Sequence, residues 1–206
     1  MLRLYGTSKS RAARSILALE ELGLAYEHVP YGKDLRNPHS EHRKRLNSLN
    51  PNGHVPVLEH DGFVIWESMA INLYLAETFA SDLWPADARS RGRIYQWSFW
   101  AQTEMDRKDW ESVRRSADAD ALKKMTDAKI STLSILDHAL ADTKYLLGDS
   151  FTFADLNVAS TLSQPNEEGR IDWQRLDPNE VGLPHLGDWL RRCTNRESWQ
   201  RVARYE

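Results

Sequence analysis

The pattern of hydrophobic and polar positions changes character near residue 80. Before it, short apolar runs lie at residues 2–5, 24–29, 55–58 and 63–66, each of strand length and bounded by turn residues. After it, apolar residues recur at three- and four-residue spacing, as on one face of a helix, without strand alternation. The pattern predicts an α/β domain followed by an all-α helical domain.

The first half begins with a strand, a helix and a second strand. Residues 11–22 carry apolar side chains at helical spacing, follow Ser10 and stop at Gly23, which predicts a helix with a glycine stop. A helix that crosses between the strands at 2–5 and 24–29 makes them parallel. This start, followed by a hairpin and another helix, is typical of a thioredoxin-like fold.

A hairpin and a helix fill residues 50–79. The Asp61-Gly62 pair between two apolar runs is a strong signal for a hairpin turn. Pro56 in the first run cannot donate to a strand ladder, so it belongs at an edge, a strand start or a bend. Because only about 5% of X-Pro bonds are cis, the residues alone favour a trans bond before Pro56.

The helix after the hairpin begins near Glu67 and Ser68. Ser68 is the predicted N-cap, since a serine oxygen accepts a hydrogen bond from a free N–H of the first turn. The carboxylate of Glu67 favours the positive end of the helix dipole. Apolar side chains then line one side of the helix: Met69, Ile71, Leu73, Tyr74, Leu75 and Phe79.

Two long helices are predicted in the second half, which suggests an antiparallel pair. The second lies within residues 121–147, and further on Thr152 and Asp155 have the spacing of a capping box that starts a buried helix over residues 154–162. The first of the two long helices has one apolar face, formed by Ile94, Trp97, Trp100, Ala101 and Met105.

Composition narrows the class of protein. A formal net charge of −3 over 206 residues gives no indication of a nucleic-acid partner or an anionic membrane. The single cysteine, Cys193, excludes an internal disulfide and a multi-cysteine metal site. No run approaches the roughly 20 apolar residues of a membrane span, and the N-terminus lacks a signal-peptide layout. We expect a cytoplasmic protein without a metal.

Hydroxyl groups cluster where the first strand leads into the first helix. Tyr5, Thr7, Ser8 and Ser10 lie close together there. A helix N-terminus offers free N–H groups and a positive dipole, which suit an anion. On the residues alone, however, Ser10 is better explained as an N-cap than as a catalytic group.

The run NPNGHVPVLEHDGFVIWESMAINLYL at residues 50–75 resembles the glutathione-binding half of the glutathione transferases. The resemblance implies a cis bond before Pro56 and a Val55 backbone that pairs with the cysteinyl unit of glutathione. It also implies that Glu67 and Ser68 hold the γ-glutamyl end of glutathione. Glutathione is therefore the expected co-substrate.

The resemblance further implies a basic residue that meets the glycyl carboxylate of glutathione. His54 stands where the family usually has Lys or Gln. A short helix before it contributes a basic residue in the family, and His42, Arg43 and Lys44 are all candidates for that position.

The first helix resembles that of the serine-type enzymes, similar to the theta and phi classes. In them the catalytic serine lies five residues after a strand tyrosine, which leads from Tyr5 to Ser10, and residues 11–14 match the serine-type helix start. The chain is thus identified as a bacterial member with Ser10 as its catalytic residue, and Tyr5, Thr7 and Ser8 are the alternatives. The absence of a cysteine near this loop excludes the branches whose chemistry needs one.

The resemblance covers nearly the whole chain, because the capping box is also a family feature. It implies a glutathione-binding domain at residues 1–80, a linker at 81–88 and a helical domain at 89–206, in a protein that forms a homodimer. The helical domain would form the pocket for the acceptor substrate. The candidates for its lining are Tyr95, Trp97, Gln102 and Glu104.

The expected reaction is the transfer of the glutathione thiolate to a small electrophilic molecule, as in detoxification. Two alternatives share the fold. One is a non-catalytic scaffold or binding protein, and the other is a glutathione-dependent isomerase or dehalogenase. Ser10, Pro56, Glu67 and Ser68 are all present, which favours the enzyme.

Overall fold

The computed structural model describes residues 1–31, 37–79, 82–105, 118–163 and 178–202. The chain divides into two compact units, Met1–Ser81 with Glu197–Glu206, and Asp82–Arg196. The first unit is α/β and the second is helical, so the predicted thioredoxin-like N-terminal domain and helical C-terminal domain are confirmed. Within the described ranges, no helix is long and apolar enough to cross a membrane.

The first unit contains a four-stranded sheet in the order β2-β1-β3-β4. Its strands are β1 (Leu2–Tyr5), β2 (Tyr26–Val29), β3 (Val57–His60) and β4 (Phe63–Trp66). β1 and β2 are parallel, as predicted, and are joined through α1 (Ala12–Glu21). β1 and β3, and the hairpin β3–β4, are antiparallel.

The register of the central strands decides which side chains share a face of the sheet. Tyr5 lies opposite Val57, and Arg3 lies opposite Glu59, so these four side chains project from one face. On that face a buried cluster forms from Tyr5, Tyr31, Leu46 and Val57. Leu46 is the buried side chain of α2 (Glu41–Leu49), so the cluster anchors this helix on the sheet. Helix α3 (Ser68–Phe79) packs against α1 and β3.

The regular elements of the second unit are all helical, among the residues that the structure describes. They are α4 (Ala88–Trp100), a π-helical segment (Ala101–Met105), α5 (Ala119–Ala139), α6 (Phe153–Leu162) and α7 (Pro184–Thr194). The predicted apolar face of the first long helix is buried at Ile94, Trp97, Ala101 and Met105, whereas Trp100 is half-buried. Helix α5 ends well before residue 147, because the chain turns after its C-cap residue Leu140.

The capping box that starts α6 is confirmed, and its carboxylate also ties in other elements. The Asp155 Oδ2 accepts from the Thr152 N–H at 2.9 Å, and the Thr152 hydroxyl in turn accepts from the Ala154 N–H at 3.3 Å. The Asp155 Oδ1 accepts from the Leu146 N–H at 2.9 Å and the Trp189 indole N–H at 2.8 Å. Burial raises the pKa of the Asp155 carboxyl, and these donated hydrogen bonds oppose the rise.

The last helix, α8 (Glu197–Val202), belongs to the first unit. The Arg201 Nε donates to the Glu20 Oε2 on α1 at 2.7 Å, and the Ser198 hydroxyl bonds to the Glu21 carboxylate. Trp199 is buried beside them at 8% exposure. This return of the chain to the first unit is not visible in the sequence pattern, because periodicity does not show which helix a distant segment packs against.

Candidate active site

Gly6 joins three pieces of the chain at the end of β1. Its φ is +131°, and a Cβ there would lie 2.5 Å from the Cβ of Ala12 and 3.1 Å from the Cβ of Val55. Only glycine permits this approach between the end of β1, the start of α1 and the residue before Pro56. The turn that carries Ser10 and the backbone of Val55 are thereby held at one corner of the first unit.

The Ser10 hydroxyl is oriented by two backbone groups. It donates to the Thr7 carbonyl at 2.8 Å and accepts from the Ala12 N–H at 3.1 Å. The side chain is half-buried. The predicted N-cap is shifted by one residue, because α1 begins at Ala12 and Arg11 occupies the N-cap position without a side-chain cap, while the Ser10 hydroxyl supplies the bond to the Ala12 N–H. The hydroxyl therefore lies at the entrance to the helix, where its N-terminal dipole acts.

The other candidate hydroxyls are placed differently. Tyr5 is 3% exposed, and its hydroxyl donates to the Glu59 Oε2 at 3.0 Å on the face of the sheet that α2 covers. Ser8 is buried at 2% exposure, and Thr7 is half-buried. Of the four hydroxyls, that of Ser10 lies closest in sequence to the first helical N–H groups and bonds to one of them.

The loop before β3 is built around Asn50. Its buried side chain donates to the His54 carbonyl at 2.8 Å and accepts from the Asn52 N–H at 3.0 Å. The Val55–Pro56 bond is cis. The trans bond that the base rate favours is therefore wrong, and the cis bond agrees with the family resemblance. The organising role of Asn50 was missed, although the Asn-Pro-Asn-Gly turn was a signal for it.

The three candidate basic side chains of α2 make different contacts. Lys44 pairs with the Glu41 carboxylate at 2.7 Å, and the His42 ring lies 5.1 Å from that of Tyr31. Arg43 is half-buried, and its Nη1 donates to the Gly53 carbonyl at 2.7 Å, next to His54. Arg43 is therefore joined to the loop that carries His54 and Val55, whereas the side chain of His54 is exposed.

Glu67 has an unusual backbone conformation at the start of α3. Its φ is +74°, and a left-handed conformation costs a non-glycine residue about 1–2 kcal/mol. The side chain is exposed, and its carbonyl accepts from the Ile71 N–H at 2.9 Å. Such conformations cluster at ligand sites. Ser68 is not the N-cap, because α3 begins at Ser68 itself, which is buried at 3% exposure.

The four candidates for the acceptor pocket lie in α4 and the π-helical segment of the second unit. Tyr95 is 40% exposed and packs edge-on against Trp84 at 5.8 Å. Trp97 is buried and packs edge-on against Trp100 at 5.2 Å. Gln102 and Glu104 are half-buried in the π-helical segment, a conformation that is frequent at functional sites. Among the described residues, no group of three or more His, Cys, Asp or Glu side chains could hold a metal ion.

Both units match one protein family. Residues 1–77 match the family described as Glutathione S-transferase, N-terminal domain, and residues 99–197 match Glutathione S-transferase, C-terminal domain. Together these matches cover most of the two units. The resemblance drawn from residues 50–75 is therefore confirmed by independent stretches of the chain.

Full-length relatives agree with this assignment. The chain is 30% identical to Glutathione S-transferase 3 of Zea mays, over 98% of this chain and 93% of the relative. It is 28% identical to Glutathione S-transferase GstB of Escherichia coli (strain K12), over 98% of each. The solved structure of the theta class glutathione S-transferase from Xanthomonas axonopodis pv. citri with glutathione bound has a TM-score of 0.77 and 27% identity, over 98% of this chain and 97% of that one.

The chain belongs to the glutathione S-transferase family. It is accordingly an enzyme of glutathione transfer, of the kind represented by its bacterial, plant and theta-class relatives. Three features of its site were not found from the sequence: the close approach at Gly6, the loop scaffold of Asn50, and the strained backbone of Glu67.

Proposed function

We propose that this transferase joins the sulfur of reduced glutathione to a small electrophilic acceptor and that Ser10 activates the sulfur. The observation that carries the proposal is the corner at Gly6, where Ala12 at the start of α1 and Val55 before the cis Pro56 both lie close to one residue. A thiol donor whose cysteinyl unit pairs with Val55 places its sulfur near the start of α1. We further propose a cytoplasmic enzyme of detoxification.

The chemical task of the site is to hold a thiolate at neutral pH. A free thiol has a pKa near 8.5, so only a few per cent is ionised at pH 7. The Ser10 hydroxyl turns from the Thr7 carbonyl and donates to the sulfur, and the positive end of α1 adds to the effect. A charge-assisted hydrogen bond of this kind is worth roughly 1.5–3 kcal/mol, which lowers the thiol pKa by about one to two units.

The γ-glutamyl end of glutathione fits the start of α3. The free N–H groups of the first helical turn and the Ser68 hydroxyl bind its carboxylate. The exposed Glu67 carboxylate then binds its ammonium group, and the left-handed φ of Glu67 supports a role in ligand binding. Binding at this end fixes the sulfur beside Ser10, so the reaction becomes effectively intramolecular.

The glycyl end of glutathione fits Arg43 and His54. Arg43 bonds to the Gly53 carbonyl through one nitrogen, and its guanidinium has further N–H donors for a carboxylate. Lys44 is paired with Glu41, and His42 packs on Tyr31, which makes both poorer candidates. We assign the main contact to Arg43, with His54 as a second donor.

The acceptor and the oligomeric state complete the proposal. Tyr95, Trp97, Gln102 and Glu104 supply the side chains that select the electrophile. In the first unit, the exposed Phe63 on β4 lies 5.1 Å from the ring of Tyr74 on α3, and exposed apolar side chains that lie together support a homodimer. Phe99 on α4 is a separate exposed apolar side chain of the second unit.

Calorimetric titration of the purified protein with reduced glutathione tests the proposal. We expect binding between the micromolar and the low millimolar range, followed by turnover in a screen of electrophiles. S-methylglutathione is the matched ligand, because it keeps both ends of the peptide but has no ionisable thiol. Absence of binding at millimolar glutathione would contradict the assignment of the site.

A further inference from the structure

His28 on β2 makes a hydrogen bond at the corner of the site. It lies opposite Leu4 in the parallel pair β1–β2, and its Nε2 lies 2.6 Å from the Gly6 carbonyl oxygen. A carbonyl oxygen only accepts, so Nε2 carries the proton and donates. On its other side, the Gly6 N–H donates to the Val29 carbonyl at 3.0 Å. Gly6 is thereby attached to β2 at both of its peptide groups.

The Gly6 carbonyl is connected to the Ser10 hydroxyl through two peptide groups. It belongs to the planar Gly6–Thr7 peptide, so the bond from His28 sets the orientation of that plane. The next carbonyl, that of Thr7, accepts from the Ser10 N–H at 3.0 Å and from the Ser10 hydroxyl at 2.8 Å. The bond from the Ser10 N–H to Thr7 remains when the hydroxyl turns to a sulfur, so a backbone shift at the Gly6–Thr7 peptide would be passed through Thr7 to the Ser10 side chain.

The conformational freedom of Gly6 explains why a hydrogen bond from His28 matters at this position. Gly6 has a φ of +131°. Glycine has no Cβ to restrict its backbone, so its φ and ψ vary more freely than those of any other residue. The approach of Ala12 and Val55 excludes a side chain at Gly6, so the position cannot be stiffened by a larger residue. A hydrogen bond from a neighbouring strand supplies the restraint instead, and His28 is half-buried and held by strand pairing.

We propose that His28 is a positioning residue, which fixes the Gly6–Thr7 peptide and through it the Ser10 hydroxyl. The inference rests on the proposed role of Ser10. Both the neutral Nε2–H tautomer and the imidazolium donate this bond, so the role requires the N–H and not the charge. His28 does not touch the sulfur and acts on the thiolate only through the backbone.

Two substitutions separate the hydrogen bond from packing. His28→Leu removes the donor and keeps an apolar side chain of similar bulk, whereas His28→Gln keeps an N–H at a similar reach. We expect His28→Leu to lower kcat about five- to tenfold and to raise the pKa of the bound thiol by about half a unit, because the Ser10 hydroxyl is misplaced. The KM for glutathione should stay within about twofold, since both ends of glutathione bind elsewhere. His28→Gln should restore kcat and the thiol pKa.

Wild-type kcat and thiol pKa in His28→Leu would overturn the proposal. Equal losses in both variants would also overturn it, since they would show that the ring acts by packing. Hydrogen exchange of the Ser10 amide is the readout that needs no glutathione. Exchange should be faster in His28→Leu and near wild type in His28→Gln. If the wild type proves inactive with glutathione, the proposed function fails, and unchanged exchange in His28→Leu would separately overturn the positioning role.

Discussion

The Tyr5 hydroxyl donates to the Glu59 Oε2 at 3.0 Å, on the sheet face that α2 covers. Glu59 also faces Arg45 at 3.3 Å, so the phenol is part of an ionic network on that face. This relationship distinguishes Tyr5 from the other three candidate hydroxyls, those of Thr7, Ser8 and Ser10. Tyr5 stabilises the contact between the sheet and α2, and Ser10 is left as the hydroxyl at the start of α1.

Replacing the hydroxyls of Ser10 and Tyr5 should have different consequences for the chemistry. Ser10→Ala should lower kcat about 10- to 100-fold and raise the pKa of the bound thiol by about one to two units, because the donor to the thiolate is lost. Tyr5→Phe should leave the thiol pKa unchanged. The thiolate absorbance of the glutathione complex against pH measures both. An unchanged thiol pKa in Ser10→Ala would move the role to Tyr5, Thr7 or Ser8.

Two substitutions of Glu67 should separate the contribution of its carboxylate to glutathione binding from the cost of its backbone conformation to stability. Glu67→Ala and Glu67→Gly both remove the carboxylate, so both should weaken glutathione binding about tenfold or more. Glycine adopts the φ of +74° without the steric cost, so Glu67→Gly should be more stable than Glu67→Ala by about 1 kcal/mol. Calorimetry measures the first quantity and urea unfolding the second. An unaltered dissociation constant would remove Glu67 from the site.

Gly6→Ala should damage both the fold and the site. Its Cβ would lie 2.5 Å from that of Ala12, and relieving the clash should cost about 1–3 kcal/mol of stability and weaken glutathione binding. Gly23→Ala is the control, because Gly23 also has a positive φ, of +63°, but no atom within 4 Å of its added Cβ. It should keep wild-type binding. Equal glutathione affinity in the two variants would refute the close approach at Gly6.

Asp155 should be the most sensitive position of the second unit for stability. Asp155→Ala leaves the buried donors of Leu146, Thr152 and Trp189 without an acceptor, so unfolding free energy should fall by about 3 kcal/mol or more. Trp189→Phe keeps most of the ring volume and removes one donor, so it should cost less. Urea unfolding measures both. A loss below about 1 kcal/mol in Asp155→Ala would contradict the role of this carboxylate.

The proposed homodimer should appear in solution as a mass about twice 23.8 kDa by light scattering. Phe63→Asp should shift the protein toward the monomer, because it places a charge on an exposed apolar patch of β4. Ile135→Asp is the matched control, since Ile135 is comparably exposed on α5. A wild-type mass that corresponds to a single chain would exclude the dimer.

Local pattern explains why the elements were predictable. The strand at residues 2–5, the Asp61-Gly62 hairpin and the capping box of Thr152 and Asp155 depend on neighbouring residues and on the period of apolar positions. Element ends were less predictable. Ser10 and Ser68 were both predicted as N-caps, but Arg11 holds that position in α1 and Ser68 already belongs to α3. Both are shifts of one residue, and a helix start is defined only to within one or two residues.

The sequence by itself determined the two-part architecture and the motif of residues 50–75, because periodicity and turn chemistry are local. The tertiary structure alone decided which partners the candidate hydroxyls and basic side chains contact. Strand register places Tyr5 beside Glu59, and Arg43 bonds to Gly53. The pairing of β1 with β2 brings His28 to Gly6 at the end of β1. These contacts join residues distant in sequence, so their partners follow from the pairing of strands and the docking of helices, which no local pattern specifies.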